Sequence, residues 1–165
     1  MKKLIFISLV IFFALISQSS FAQTNKLRFG LKYQIKSLNY EIVDDIPNHK
    51  MGVSHGVGIA YMKDGSQANV NIYFVFDYTD GNGNFIENYV VQMSDVSKIS
   101  IKADGTSFGS ADDPMFNANV TIMSGTGEYE GIKGKGKMTG NRRSQLDDKA
   151  TVNLTFELEY TLKNQ

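Results

Sequence analysis

Residues 124–138 read Ser124-Gly125-Thr126-Gly127-Glu128-Tyr129-Glu130-Gly131-Ile132-Lys133-Gly134-Lys135-Gly136-Lys137-Met138. The glycines of the first half suit a turn, because glycine accepts φ > 0 without steric cost. The second half alternates with period two. Ile132, Gly134, Gly136 and Met138 share one strand face, and Lys133, Lys135 and Lys137 share the other. The segment predicts a turn feeding a strand, with glycines on the face that another backbone or a ligand approaches closely.

The same period extends outward in both directions. Ala150, Val152, Leu154, Phe156, Leu158, Tyr160 and Leu162 lie on one face of a long half-buried strand, with Thr, Asn and Glu on the other. Leu27, Phe29, Leu31, Tyr33 and Ile35 form another apolar face. The phase then slips so that Leu38, Tyr40 and Ile42 continue it, which predicts a bulge near Lys36-Ser37. Val70, Ile72, Phe74, Phe76 and Tyr78 share a face, as do Val53, His55, Val57, Ile59 and Tyr61. A strand over 85–93 has an ambiguous phase, and shorter strands fall at 96–103 and 118–123. Lys63-Asp64-Gly65, Asp80-Gly81-Asn82-Gly83-Asn84 and Asp104-Gly105 carry turn chemistry. Pro47 and Pro114 read as loop residues, 113–116 as a short helical turn, and 141–149 as a polar connection.

The sum is about eight strands, mostly joined as hairpins. An open sheet of that size leaves exposed edges, and closure removes them. The expected fold class is all-β, a closed antiparallel eight-stranded barrel of calycin-like or allene oxide cyclase-like form, with a sandwich as the competing arrangement. Residues 1–22 read as a signal peptide: Lys2 and Lys3, an apolar run over 4–16, and the small-x-small site Ser20-Phe21-Ala22. The expectation is export to the periplasm or beyond, cleavage before Gln23, one domain over 23–165, and no stable membrane insertion after cleavage. The chain balances 17 basic against 17 acidic residues, so no basic excess points to nucleic acid. With no cysteine, the fold holds without disulfides, and thiol catalysis and thiolate metal sites are excluded.

The run Gly125-Thr126-Gly127-Glu128-Tyr129-Glu130-Gly131-Ile132-Lys133-Gly134 resembles the G-(S/T)-G-x-(F/Y)-x-G-x-x-G signature of the allene oxide cyclase-like and dirigent-like barrels. Gly125, Gly127, Tyr129, Gly131, Gly134 and Gly136 are the fold-signature positions. The resemblance implies a small eight-stranded barrel, often trimeric, with an apolar cavity. It also implies relatives that close rings or steer radical coupling without a cofactor. The signature transfers architecture alone, since no cyclase site motif is recognisable.

His55 and Glu87 are the catalytic candidates. His55 shares a face with Val53 and Val57, and in an apolar lumen it would exchange protons near neutral pH. The more ordinary reading is a hydrogen-bonded core histidine or one near the rim, and it is a surface residue if the phase is off by one. Glu87 lies in phase with Phe85, Tyr89 and Val91. Facing inward it would have a raised pKa and pair with His55; the opposite set, Ile86, Val90 and Gln92, is nearly as apolar. Tyr61, Tyr78, Tyr89 and Tyr160 are the ligand-lining candidates, with ordinary core rings as the alternative. Asp44, Asp45 and His49 are too few for a metal site. The 80–87 segment fails as a calcium loop, because Tyr78 and Tyr89 fall where acidic ligands belong. No metal or cofactor is expected.

The expected function is binding of a small hydrophobic ligand in the lumen, as a monomer or as a homotrimer or other homo-oligomer. A cofactor-free cyclase or isomerase is the first alternative. A filled barrel acting as a structural or interaction protein is the second.

Overall fold

The computed structural model describes residues 24–162, and the expected leader over 1–22 lies outside them. Eight strands close a barrel in chain order: β1 Asn25–Ile42, β2 His49–Met62, β3 Gln67–Thr79, β4 Asn82–Gln92, β5 Lys98–Ser110, β6 Asp113–Gly125, β7 Lys133–Arg142 and β8 Thr151–Thr161. Every neighbouring pair is antiparallel, and β8 pairs back onto β1. The fold is the all-β closed antiparallel eight-stranded barrel read from the alternation.

The glycine-rich run forms the turn it predicts. A short 3-10 turn, Gly127–Tyr129, follows β6, with Gly127 at φ 61° and Gly131 at φ 75°, conformations that side chains with a Cβ resist. β7 then runs with its lysines outward and its glycines inward. A Cβ on Gly136 would lie 2.8 Å from Leu158 Cα on β8, closer than side-chain carbons come to a backbone. The β1 bulge also falls where the phase slips, since Ile35 pairs with Gly56 and Ser37 with His55, leaving Lys36 as the extra residue. Asp80 and Gly81 both take positive φ in the two-residue turn between β3 and β4, as a tight hairpin requires.

The lumen is filled by side chains. Phe29 stacks on Phe156 at 4.6 Å between ring centroids, and Tyr89 meets Phe156 edge-on at 5.0 Å. Ile72, Ile101, Val120, Met138 and Leu154 pack around these rings as buried core. Eight strands give an interior of about this capacity.

Three readings need correction. On β2 the inward face is Gly52, Ser54, Gly56, Gly58 and Ala60, and Val53, His55, Val57, Ile59 and Tyr61 face outward. Rings from the neighbouring strands take the space: a Cβ on Gly56 would lie 2.8 Å from Tyr33 Cδ2, and one on Gly52 2.8 Å from Phe76 Cζ. Asp104-Gly105 is no turn but the middle of β5, where Gly105 lets β6 approach at Ala118. Residues 113–116 are extended in β6 rather than helical, and Pro114 occupies its start, where a missing N–H is tolerated.

Lysines and glutamates alternate on the outer wall of β7, β8 and β1, and Arg28 Nη2 meets Glu157 Oε1 at 2.5 Å. On these three strands the charged outer face is the reverse of a barrel wall that faces lipid. No helix among the described residues is long and apolar enough to cross a membrane.

The close approach of β7 to β8 makes a direct prediction. Gly136→Val places two branches against the β8 backbone and is expected to lower stability by roughly 1–3 kcal/mol or more, from overpacking. Lys135→Val, on the outward face, is expected to change it by less than about 0.5 kcal/mol. Urea unfolding midpoints check both.

Candidate functional site

The connections at one end of the barrel are the 43–48 loop, the Asp80-Gly81 turn, the 111–112 turn and the 143–150 loop. They surround a cavity of ≈ 270 Å³ lined by Asn48, Lys50, Phe76, Tyr78, Asp80, Gly81, Ala111, Arg142, Gln145 and Leu146. Phe76 and Tyr78 reach it from the inward face of β3 and stack at 5.0 Å. Arg142 reaches it because β7 continues the inward phase of Met138 through Gly140 to position 142.

Arg142 is only 3% exposed. Its Nε donates to the Ser144 carbonyl at 2.8 Å and Nη2 to the Ala111 carbonyl at 3.3 Å. Its guanidinium carbon lies 6.0 Å from the Phe116 ring centroid, within cation–π range. Burial pulls its pKa down, and the nearby Tyr78, Tyr33 and Asp147 oppose that pull. An arginine stays protonated under such a shift.

Below the cavity lies a second buried polar group. Glu87 faces inward on β4, opposite Phe74, two inward positions deeper than Tyr78 on β3. Tyr33 Oη donates to Glu87 Oε1 at 3.2 Å, and Tyr89 Oη donates to Oε2. Burial lifts the Glu87 pKa from 4.5 to about 8, against the opposing Tyr33 hydrogen bond. Burial together with the Glu87 charge raises Tyr33 well above its ordinary value, and Tyr78 is raised for the same reasons. Desolvation therefore outweighs the two hydroxyl donors, and the carboxyl holds a proton at neutral pH.

The structure separates the residues singled out by sequence. His55 faces out and stacks on Tyr73 at 4.8 Å, and its Nε2 is buried without a partner. It shares no space with Glu87, so the His55–Glu87 couple does not form. Tyr78 lines the cavity, Tyr89 sits in the core on Glu87, and Tyr61 faces outward at 47% exposure. Tyr160 packs on the core at the far end of β8, opposite Gly134. His49 takes part in a two-sided ion pair: Nδ1 meets Asp45 Oδ1 and Nε2 meets Asp77 Oδ1, each at 2.7 Å. These bonds, Asp45 first, raise the His49 pKa, and the His49 bond in turn lowers that of Asp45. Both ring nitrogens of His49 are thus taken by carboxylates, and no group of three or more His, Asp or Glu side chains among the described residues is placed to hold a metal ion.

Arg142 is the site residue that the sequence reading missed, since 141–149 reads as a polar connection. The available signal was the phase of Gly134, Gly136 and Met138, which runs on through Gly140 to a basic residue on the inner face.

A wider groove of ≈ 1290 Å³ spans the opposite end and the outer wall of β6, β7, β8 and β1. Its charges alternate and pair in solvent, as Lys26 with Glu159 at 3.8 Å, so it reads as a solvated face.

No family model matches this chain, and no curated protein matches it. Among solved structures it is similar to one described as a nonspecific heme-binding cyclase that catalyses a (4 + 2) cycloaddition during neoabyssomicin biosynthesis. The TM-score is 0.46 at 11% identity, over 91% of this chain and 72% of that one. Likeness at this level says nothing of chemistry or ligand.

Glu87 sets a pH dependence. Its folded pKa of about 8 exceeds the ordinary 4.5, so the folded state keeps a proton that the unfolded chain releases. Its contribution is fully present below 4.5 and is lost as pH rises toward about 8, with a slope of up to ~1.4 kcal/mol per pH unit. Above that it is flat. Denaturant midpoints measured across this range are expected to fall for the wild type and to fall much less for Glu87→Gln, whose remaining slope above pH 6.5 is that of the His49 ion pairs.

Proposed function

We propose that this chain is an exported barrel that binds a small hydrophobic molecule in the cavity at its mouth. The observation that carries the reading is a cavity walled by Phe76, Tyr78 and Leu146 above a lumen already filled by rings. Its ≈ 270 Å³ lies near the lower end of ligand pockets, which run from about 300 Å³ upward, so the ligand is small. The closed topology and the glycine turn support placing the chain with the allene oxide cyclase-like barrels; the filled lumen moves the ligand from the centre to the rim. Native mass spectrometry against a panel of small aryl and alkyl compounds is expected to give a one-to-one adduct. Ala111→Trp, which fills the cavity from its rim, is expected to abolish it. A bare spectrum with every compound contradicts the reading.

The cyclase alternative needs a proton-handling group within reach of substrate. Glu87 faces inward, but it is 6% exposed and does not line the cavity, so the geometry supports binding over turnover.

One observation favours action through the surface. Met51, Val53, Tyr73 and Val75 form an exposed apolar strip on the outer wall of β2 and β3, beside His55, with Val53 and Tyr73 each 52% exposed. The four side chains are uncharged, and Asp77, the carboxylate opposite Met51 on β3, is paired with His49, so a second copy of the chain can cover the strip. Sedimentation velocity is expected to show an oligomer that Val75→Glu dissociates. A wild-type monomer at all concentrations contradicts this.

A further inference from the structure

We infer that the mouth cavity recognises a small amphipathic monocarboxylate, its carboxylate on Arg142 and its apolar body on Phe76, Tyr78 and Leu146. The inference rests on the binding reading above and adds the chemical class of the ligand.

Arg142 carries it. A guanidinium has five N–H donors, and the protein uses two of them, one on Nε and one on Nη2, for the carbonyls of Ser144 and Ala111. Nη1 has no acceptor among the described residues. It is not sealed either: His55 Nε2 is the side-chain polar atom found both buried and unpartnered there. Nη1 therefore keeps some exposed surface, and the cavity is the concave space that Arg142 lines. The ion pairs among the described residues involve Lys26, Arg28 and His49, and none supplies Arg142 with a carboxylate. A cation taken out of water with only neutral acceptors is unfavourable, and an anion brought by a ligand offsets that cost through a charge-assisted hydrogen bond.

The surrounding charges favour a ligand of low negative charge. Lys50 lines the same cavity, its Nζ 4.9 Å from the Tyr40 ring centroid. Asp80 also lines it, with Oδ1 accepting from Asn48 Nδ2 at 2.7 Å. Asp147 attracts Arg142 from beyond ion-pair distance. Of these groups only Asp80 is a carboxylate in the cavity lining, against Arg142 and Lys50, and with Asp147 further off the site favours a monoanion over a dianion such as phosphate, which the two carboxylates repel. The stacked pair Phe76 and Tyr78 forms a flat apolar wall beside the guanidinium, which suits an aryl or short alkyl acid.

Calorimetric titration of hydrocinnamate and its neutral amide, hydrocinnamamide, into wild type, Arg142→Gln and Lys50→Gln tests this. The acid is expected to bind about tenfold or more tightly than the amide. Arg142→Gln is expected to erase that preference, so that acid and amide bind alike, and Lys50→Gln to reduce it a few-fold. Equal binding of acid and amide to the wild type overturns the inference and leaves the binding reading standing. Failure of both, with neutral members of the wider panel still bound, overturns it likewise. Failure of every compound removes both readings. Should Arg142→Gln not fold, the wild-type comparison and Lys50→Gln still decide.

Discussion

A closed barrel of eight strands has an interior of fixed width, and this one is filled with rings. Tyr33, Phe29, Phe74, Phe76, Tyr89 and Phe156 all point inward, and they fit only because β2 and β7 give up their inner side chains. Gly56 lies under Tyr33 and Gly52 under Phe76, while Gly134 and Gly136 let β8 come close. Volume is thus exchanged between neighbouring strands, with rings on β1, β3 and β8 against glycines on β2 and β7. Close packing of this kind tolerates little change in side-chain volume. It also consumes the lumen, and the remaining concave space lies at the two ends and on the outer wall.

The polar groups inside follow from the same constraint. Glu87 is sealed beneath Phe76 and Tyr78, where water cannot solvate its charge, and two tyrosine hydroxyls replace that water. Arg142 stands at the mouth, where the loops supply two backbone carbonyls and its Nη1 has no acceptor among the described residues. The two groups have opposite fates: the deeper one is neutral and internally satisfied, and the shallower one is charged and incompletely satisfied. An internally satisfied group rigidifies a core, whereas an incompletely satisfied one at a cavity wall favours a ligand. The His49 bridge between Asp45 and Asp77 ties the 43–48 loop to β3 beside that cavity and fixes its rim.

Much of the fold was legible because β3 and β8 alternate large apolar with polar residues, a pattern one register alone satisfies. The bulge in β1 was legible as a slip of phase. β2 was not. Its sequence, Gly52-Val53-Ser54-His55-Gly56-Val57-Gly58-Ile59-Ala60, alternates small with large, and reading by hydrophobic size picks the outward face. Only the rings on the strands beside it reveal that the small face belongs inside, and pairing is a property of the fold, not of the segment. The same misreading placed His55 in the lumen. Glu87 was half legible, since both faces of β4 are apolar and the register decides between them. Asp104-Gly105 mimicked a turn because glycine serves close strand approach as readily as it serves positive φ. Arg142 went unread because a basic residue at a strand end looks like the start of a loop.

The central claim is that the lumen is closed by its own side chains and that recognition happens at the mouth, on Arg142. Chemical-shift mapping of the labelled protein during titration with hydrocinnamate tests it most directly. The account predicts shifts confined to Phe76, Tyr78, Ala111, Arg142 and Leu146, with Phe29, Tyr89 and Phe156 unmoved. Shifts running through Phe29, Tyr89 and Phe156 would show a ligand entering the lumen and contradict it.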